Sequence, residues 1–387
     1  MQNLNINEAA PISPEATGEG QPFSKEFTTN ISENTQDCNS ENDSDLRDAQ
    51  LLLRKISSPD YMHTVSLTEL YDTVYLPKKQ IIEGLLCSGA YLFAGAPKVG
   101  KSFFMAQLGY HISNGITLWD NYTVNQGVVL YLALEDDYGR LQKRLSRMFG
   151  TECTENFHFA THAKFLGGGL DSQLERFVRD HPRTRLIIID TLQKVREAGG
   201  ERFSYGNDYD IVTQFKRFAD KHNICVLLVH HTRKQSADDC FETISGTNGL
   251  LGAADGAFIL HKEKRTDDIA ILDVVGRDQQ DQRLHLRFDR EQCIWEFSSQ
   301  ETEIWKEPPD PVLDAVAKLI TPNSPIWSGS ASELICTLDD LQIKPNVLTR
   351  RLNVGADRLF SEHGIRYENS RNHAGRFIKL TLDESPA

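Results

Sequence analysis

The amino-acid sequence predicts an α/β protein built on a parallel β-sheet. Continuous apolar runs support this, because strands covered by helices on both faces read as unbroken hydrophobic stretches. The runs are 128–134 (VVLYLAL), 157–160 (FHFA), 186–190 (LIIID) and 225–230 (CVLLVH). Helical patterns at 138–149, 171–181 and 209–222 lie between them, and this alternation favours a parallel sheet. After Gly256, short strands separated by charged turns predict an antiparallel extension of that sheet.

Length and composition indicate two folded units and a tail. A chain of 387 residues is longer than a single domain usually is, and its hydrophobic content of 39% is ample for a sizeable core. Residues 1–48 are polar and acidic, and we expect them to be disordered because they cannot bury enough apolar surface. Residues 46–57 fit a short amphipathic helix that packs on its own domain or docks on a neighbouring subunit. The first folded domain is predicted at 49–306.

The prolines of EPPDP at 307–311 mark a domain boundary, since they fit neither a helix interior nor a central strand. The following domain, 312–383, has three helical patterns and a closing pair of strands. Three helices and a two-stranded wing predict a winged-helix-like fold.

Charge, membrane and cysteine patterns narrow the function class. The net charge is −13, but residues 1–50 hold ten acids against two basic residues, so local basic patches decide whether nucleic acid can bind. No run of 18 apolar residues and no signal peptide is found, which predicts a cytoplasmic protein without a membrane span. Seven cysteines without C-x-x-C pairing favour reduced thiols over a zinc site or disulfides.

The stretch GAPKVGKS at 95–102 has the form G-x-x-x-x-G-K-[ST] and lies between an apolar run and a helical pattern. This is the pattern of a P-loop, in which backbone N–H groups at a helix N-terminus surround phosphates. We expect Lys101 to reach the β- and γ-phosphates of ATP and Ser102 to ligate Mg²⁺. The predicted nucleotide-binding residues are Gly95, Ala96, Pro97, Lys98, Val99, Gly100, Lys101, Ser102 and Phe103.

Acidic residues follow two of the predicted strands. Asp190 ends LIIID, where a carboxylate can hold Mg²⁺. Glu135 follows the strand after the P-loop helix and is the predicted catalytic base, with Asp136 and Asp137 as alternatives. His230, with His231 beside it, ends a further strand and is the predicted sensor of the γ-phosphate.

The order of these motifs resembles the RecA-fold ATPases, and in particular the RepA-type hexameric replicative helicases of plasmids and mobile elements. The resemblance covers about residues 75–300. It implies a RecA-like P-loop NTPase core in which GAPKVGKS is Walker A, Asp190 the Walker B acid, Glu135 the base and His230 or His231 the sensor. It also implies an arginine that reaches a neighbour's ATP; Arg277 is the candidate, and Arg265 competes for the role.

Two polar loops would line the channel of such a ring and contact single-stranded DNA. They are 191–208 and 232–249, with the cations Lys194, Arg196, Arg202, Arg233 and Lys234, although ordinary surface loops remain an alternative. In the C-terminal domain, a second basic surface is predicted to face DNA, with a solvated face or a protein-docking module as alternatives. Its residues are Arg350, Arg351, Arg358, Arg371, Arg376 and Lys379.

These patterns lead to one main hypothesis and two others. The main one is a Mg²⁺-dependent ATPase that forms a homo-oligomeric ring, which we expect to be a hexamer. This ring would move on single-stranded DNA as a replicative helicase. The second is a RecA-fold ATPase of recombination or regulation that binds DNA without unwinding it. The third is a signalling-type ATPase without DNA.

Overall fold

The computed structural model describes residues 58, 60–75, 77–196, 205–232, 240–244, 248–262, 264, 266–301, 308–338, 343–372 and 375–383. The chain divides into two compact units, Met1–Leu67 and Thr68–Ala387. The described helices and strands lie in the second unit, apart from Leu67, the first residue of the first helix. The predicted acidic tail and the helix predicted at 46–57 lie outside the described residues.

The described elements alternate strand and helix through the first two hundred residues of the second unit. The helices are α1 Leu67–Asp72, α2 Lys101–Asn114, α3 Tyr138–Phe149, α4 Leu170–Asp180, α5 Leu192–Val195, α6 Tyr205–His222, α7 Asn248–Ala253, α8 Pro311–Leu319, α9 Ala331–Thr337, α10 Pro345–Val354 and α11 Ala356–His363. The strands are β1 Gln80–Ile82, β2 Leu86–Cys87, β3 Gly89–Gly95, β4 Val128–Ala133, β5 Phe157–Ala160, β6 Thr184–Asp190, β7 Cys225–His231, β8 Gly256–His261, β9 Ile269–Gly276, β10 Gln282–Asp289, β11 Ile294–Gln300, β12 Ile326–Ser330, β13 Ile365–Asn372 and β14 Gly375–Leu382.

A large mixed sheet organises the core. Within the described residues its nine strands have the order β11-β10-β9-β8-β3-β7-β6-β4-β5. The six strands from β8 to β5 are parallel, and β9, β10 and β11 continue the sheet antiparallel. This is the predicted RecA-like architecture. One detail differs, because β8 pairs in parallel with β3, so the antiparallel extension begins one strand later than the sequence pattern suggested.

Helices cover both faces of this sheet. On one face α2 and α3 bury Phe104, Leu108 and Leu141 against alternate strand residues such as Tyr131. On the other, α4, α6 and α7 bury apolar side chains including Phe215. Successive residues of a strand point to opposite faces of the sheet, and helices cover both faces. Side chains on both faces of each apolar run are therefore buried or half-buried, which explains why these strands show no alternation of polar and apolar residues.

The segment 308–383 has its own apolar core, to which α8, α9, α10, α11 and the three-stranded sheet β12-β14-β13 contribute. The three predicted helices become four, because the pattern at 347–365 is interrupted at Gly355, the C-cap of α10. The strand β12 was not predicted. The hairpin of β13 and β14 is present as expected, and the winged-helix assignment stays a prediction.

None of the helices in the described part of the chain is long and apolar enough to cross a membrane.

Candidate active site

Four parallel strands bring their carboxyl ends to one edge of the sheet. β3 runs into the loop 95–100, and β4, β6 and β7 end at Ala133, Asp190 and His231 on the same edge. Clefts outside the carboxyl ends of parallel strands are the usual binding sites of α/β proteins. The residues predicted at these strand ends therefore meet here.

The loop 95–100 requires glycine at two positions. A Cβ on Gly95 would lie 2.5 Å from the carbonyl oxygen of Leu260, and one on Gly100 would lie 2.7 Å from the ring of Trp295. Gly100 also has φ of 111°, and Lys98 has φ of 66°. The loop thus folds tightly over the end of the sheet, with Ala96, Pro97 and Lys98 exposed and Val99 buried.

The loop leads into α2, whose N-terminus has no side-chain cap. The first N–H groups of a helix lack partners within the helix, and together with the helix dipole they favour anions. Phe103 lies half-buried in this first turn, where its ring packs 5.5 Å from that of Phe288, and the guanidinium of Arg144 lies 5.3 Å from its centroid.

Lys101 reaches back over the loop. Its Nζ donates to the carbonyl oxygens of Gly95 at 2.7 Å and Ala96 at 3.0 Å. Burial lowers the pKa of Lys101 to about 8, although the charges of Asp190 and Glu135 partly oppose that shift. A buried ammonium whose hydrogen-bond partners are neutral groups is ready to exchange them for an anion.

Ser102 and Asp190 are in direct contact. The hydroxyl of Ser102 donates to Oδ2 of Asp190 at 2.7 Å, and the hydroxyl of Tyr131 donates to the same oxygen at 2.8 Å. Burial raises the pKa of Asp190, while these two hydrogen bonds act in the opposite direction. Tyr131 was missed at the sequence level, although its position in β4, on the same face as Glu135, could have indicated it.

The three acids after β4 have separate environments. Glu135 accepts a hydrogen bond from Thr191 Oγ1 at 3.3 Å, next to Asp190. Asp136 forms an ion pair with Arg144 at 2.7 Å, and Asp137 caps α3 by accepting from the backbone N–H of Arg140 at 2.9 Å. Of the three, Glu135 is the one that the structure brings to Asp190, so the geometry favours it over both alternatives.

The two histidines at the end of β7 point to opposite faces, as neighbouring strand residues do. His231 Nδ1 lies 3.2 Å from Lys101 Nζ, on the face of α2. Burial and then the charge of Lys101 lower the pKa of His231, which favours a neutral ring that can accept a hydrogen bond. His230 is buried on the face of Val226 and Leu228. The structure therefore favours His231 over His230 as the sensor.

The donor set fits a nucleotide with Mg²⁺. Ser102 and Asp190 offer adjacent hard oxygen atoms, which Mg²⁺ prefers, and Lys101 lies over a glycine-containing loop at an open helix N-terminus. Elsewhere in the described part of the chain, no group of three or more histidines, cysteines or acids could hold a metal ion.

The predicted arginine does not join this site within one chain. Arg277 follows β9, which runs antiparallel to β8, so it lies at the opposite edge of the sheet from the loop 95–100. It is exposed, and its side chain donates to the carbonyl oxygen of Gly252 at 2.8 Å. Arg265, the competing candidate, lies outside the described residues.

The predicted channel loops are described only in part, and Arg202, Arg233 and Lys234 lie outside the described residues. Lys194 is exposed on α5. Arg196 instead forms an ion pair with Asp208 at 3.0 Å, and its side chain is only 10% exposed. In this structure Arg196 is therefore a largely buried ion-pair partner rather than the exposed cation that the sequence suggested.

The basic surface predicted for the C-terminal segment is largely neutralised. Arg350 pairs with Asp72 at 3.1 Å, Arg351 with Asp310 at 3.7 Å and Arg358 with Glu362 at 2.9 Å. Lys379 lies 3.5 Å from Glu368. The side chains of Arg371 and Arg376 are outside the described part. These pairings favour the alternative of a solvated or protein-docking face.

Comparison with known families supports the nucleotide site. Residues 60–237 match the family model of an AAA domain. The match includes the loop 95–102, Glu135 and Asp190, and it agrees with the sequence resemblance to P-loop ATPases. A search of the curated proteins finds no match.

Solved structures with a similar fold include an ATPase domain at 18% identity, with 68% of this chain and 100% of that chain covered and a TM-score of 0.46. A DnaB-like replicative helicase, solved to examine its interactions with primase, is 16% identical over 64% of this chain and 70% of that chain, with a TM-score of 0.47. The RadB recombinase is 16% identical over 55% of this chain and 91% of that chain, with a TM-score of 0.41. Structural similarity at these identities and TM-scores does not assign an activity.

Proposed function

We propose that this chain is a Mg²⁺-dependent ATPase that assembles into a homo-oligomeric ring, translocates on single-stranded DNA and serves as a replicative DNA helicase of a plasmid or other mobile element. One observation carries the proposal. Lys101, Ser102, Asp190 and Glu135 meet at one edge of the sheet, whereas Arg277 lies exposed at the other. If Arg277 acts on ATP, it must therefore do so at the site of a neighbouring copy.

Hydrolysis would use these side chains in distinct roles. Lys101 would exchange its bonds to the carbonyls of Gly95 and Ala96 for bonds to the β- and γ-phosphates. Ser102 and Asp190 would hold Mg²⁺, which when bound neutralises phosphate charge. Glu135 would accept a proton from the attacking water, and Thr191 would orient its carboxylate. His231 would sense the γ-phosphate through its proximity to Lys101.

Arg277 of a neighbouring copy would stabilise the charge that develops on the transferred phosphoryl group. An arginine supplied in trans typically accelerates phosphoryl transfer by about 10³–10⁵-fold. Such a requirement would link hydrolysis to assembly, and six copies in a ring is the arrangement that the sequence resemblance implies.

DNA would contact the two loops that follow β6 and β7, because both leave the sheet at the edge where ATP is hydrolysed. Lys194 is a described exposed cation that could contact a phosphate there. We further propose a cytoplasmic location, an acidic tail at 1–48, an ATPase domain at 49–306 and a winged-helix-like domain at 312–383. The last would serve protein docking rather than DNA binding, because its described arginines are paired with acids.

The test is the steady-state ATPase rate of the full chain with and without single-stranded DNA, followed by a strand-displacement assay. We expect DNA to stimulate hydrolysis and Lys101→Ala to abolish it. Stimulation without strand displacement would favour the recombination or regulatory alternative. A rate indifferent to DNA would favour the signalling alternative and remove the loop assignments.

A further inference from the structure

A buried carboxylate lies at the edge of the sheet opposite the nucleotide site. Asp255, at the start of β8, is 1% exposed. Its Oδ1 accepts hydrogen bonds from Lys78, at 2.8 Å, and from Lys216, while its Oδ2 accepts from the backbone N–H of Ala90 at 3.0 Å. One carboxylate therefore joins the segment before β1, the start of β3, helix α6 and the start of β8.

Neighbouring groups pack closely against the carboxylate of Asp255. A Cβ on Gly89 would lie 2.5 Å from Oδ2 of Asp255, so only glycine leaves room for the carboxylate. Burial by itself would raise the pKa of Asp255, but the hydrogen bonds from Lys216 and Lys78 hold it below its usual value. The group is therefore charged, and a buried charge of this kind is retained only where its partners stay in place.

Asp255 is also in contact with the segment that carries Arg277. The backbone N–H of Arg277 donates to the carbonyl oxygen of Asp255 at 2.8 Å. The next residue, Asp278, forms an ion pair with Lys78 at 3.2 Å, and Lys78 is itself a partner of Asp255. The turn after β9 is thus fixed at Arg277 and at the residue after it by the same cluster.

Helix α6 supplies the remaining cation. Lys216 lies in the middle of α6, and that helix begins at Tyr205, inside the loop predicted at 191–208. Arg196 of that loop forms an ion pair with Asp208 of α6 at 3.0 Å. A displacement of this pair along the axis of α6 would move Lys216, and the contact with Asp255 would pass the movement to the backbone at Arg277. Coupling of this kind requires a contiguous set of packed or bonded groups, which this cluster provides.

We propose that Asp255 and Lys216 are positioning residues that hold Arg277 in the orientation in which it enters the neighbouring copy's site, and that they connect it to the loop after β6. This rests on the proposed function, because it requires a site shared between two copies. Neither residue touches the nucleotide site of its own chain.

The test is subunit complementation with the full-length protein. Asp255→Asn and Lys216→Met are prepared beside Arg277→Ala, and Lys221→Ala serves as the matched control because Lys221 lies on α6 but pairs with Glu175. We expect both cluster variants to lose at least tenfold in kcat and most of their stimulation by DNA. Affinity for a non-hydrolysable ATP analogue should stay within twofold of the wild type, because each variant keeps its own loop 95–100.

Each variant is then mixed with an excess of Glu135→Gln, which cannot hydrolyse ATP itself but carries an intact Arg277. Activity should return in mixtures containing Arg277→Ala, Asp255→Asn or Lys216→Met, because the partner supplies a correctly held arginine. A defect in the variant's own site would not be rescued in this way.

The outcomes separate the two ideas. If Arg277→Ala is not rescued, the shared site of the proposed function is wrong. If Arg277→Ala is rescued but the cluster variants are not, or if they keep wild-type rates, the positioning role is overturned. Should Asp255→Asn fail to fold, Lys216→Met decides the question, since Lys216 is a partly exposed side chain.

Discussion

The pKa of Lys101 offers a measurable property of the nucleotide site. Because burial lowers this pKa to about 8, the free protein loses the ammonium proton as the pH rises through 8, whereas an ordinary lysine keeps it to about 10.5. Bound phosphates favour the charged form, so ATP binding above pH 8 should take up a proton.

Calorimetry of ATP-analogue binding in two buffers of different ionisation enthalpy measures this uptake. We expect it to rise from near zero at pH 7 toward one proton at pH 9.5, with affinity falling over the same range. In Lys101→Arg the guanidinium stays charged, and the pH-dependent uptake should disappear. Equal uptake at both pH values in the wild type would contradict the assignment.

The environment of Glu135 gives a second prediction. Glu135→Gln should keep nucleotide affinity but lose about 10²–10⁴-fold in kcat, since the amide cannot accept the proton of the attacking water. Asp137→Asn is the control, because Asp137 caps α3, asparagine can also cap a helix, and kcat should stay near normal. A larger loss of kcat in the control would point to Asp137 as the base.

Tyr131 gives a third prediction, because its hydroxyl orients the carboxylate of Asp190. Partners behind a metal ligand commonly change metal affinity by about 10–100-fold. Tyr131→Phe should therefore raise the Mg²⁺ concentration for half-maximal ATPase activity by about tenfold. Tyr91→Phe removes the hydroxyl of another buried tyrosine that does not contact Asp190, and it should leave the Mg²⁺ dependence unchanged.

At the scale of elements, strand β11 supports the loop 95–100 from the antiparallel part of the sheet. The indole N–H of Trp295 donates to the carbonyl of Gly100 at 3.3 Å. Gln107 of α2 bonds both the backbone N–H and the carbonyl of Trp295, each at 2.8 Å. Helix α2, the loop and β11 therefore form one unit.

Removing the amide of Gln107 should loosen this unit. Gln107→Leu leaves the backbone N–H of Trp295 without its partner in a buried position, and the free energy of unfolding should fall by about 2 kcal/mol. Urea denaturation followed by tryptophan fluorescence measures the loss, and nucleotide affinity should fall with it. Gln142→Leu, at an exposed position of α3, should stay within about 0.5 kcal/mol. An unchanged midpoint for Gln107→Leu would remove the proposed support.

Some of the helices and strands could be predicted from the sequence pattern, and others could not. The helix at 138–149 and the strand ending at Asp190 agree with prediction, because long periodic segments and continuous apolar runs are dominated by burial. The direction of β8 was not readable, since a short apolar run looks alike in parallel and antiparallel pairs. The break at Gly355 was missed because the helical pattern continues across it.

Some residues of the candidate site could likewise be predicted from the sequence, and others could not. The loop 95–102 and Asp190 have local signatures, so they could be placed without a structure. Glu135 was also preferred from the sequence, because it comes first of the three acids after the strand, whereas the choice of His231 over His230 depends on which face of β7 each ring occupies. Tyr131 has no motif at all, and its role depends on β4 and β6 pairing side by side.

At the scale of the whole molecule, the separation of Arg277 from Lys101 predicts that nucleotide drives assembly. Glu135→Gln with saturating ATP and Mg²⁺ should run as a closed oligomer in native mass spectrometry, with six copies expected. Without nucleotide the distribution should shift to smaller species. A chain that stays monomeric with ATP bound at every site would contradict a ring.

The strand order also dictates when the nucleotide site can form during synthesis. β3 is central, and its two partners, β7 and β8, follow more than a hundred residues later in the chain. Pairings between distant segments form late, because the intervening chain must first be closed into a loop. A nascent chain that has not yet emerged past His261 contains the complete GAPKVGKS motif but lacks a strand on one side of β3. We therefore expect the protein to bind ATP only when the ATPase core is nearly complete, so that incomplete chains do not compete for nucleotide or for places in the proposed assembly.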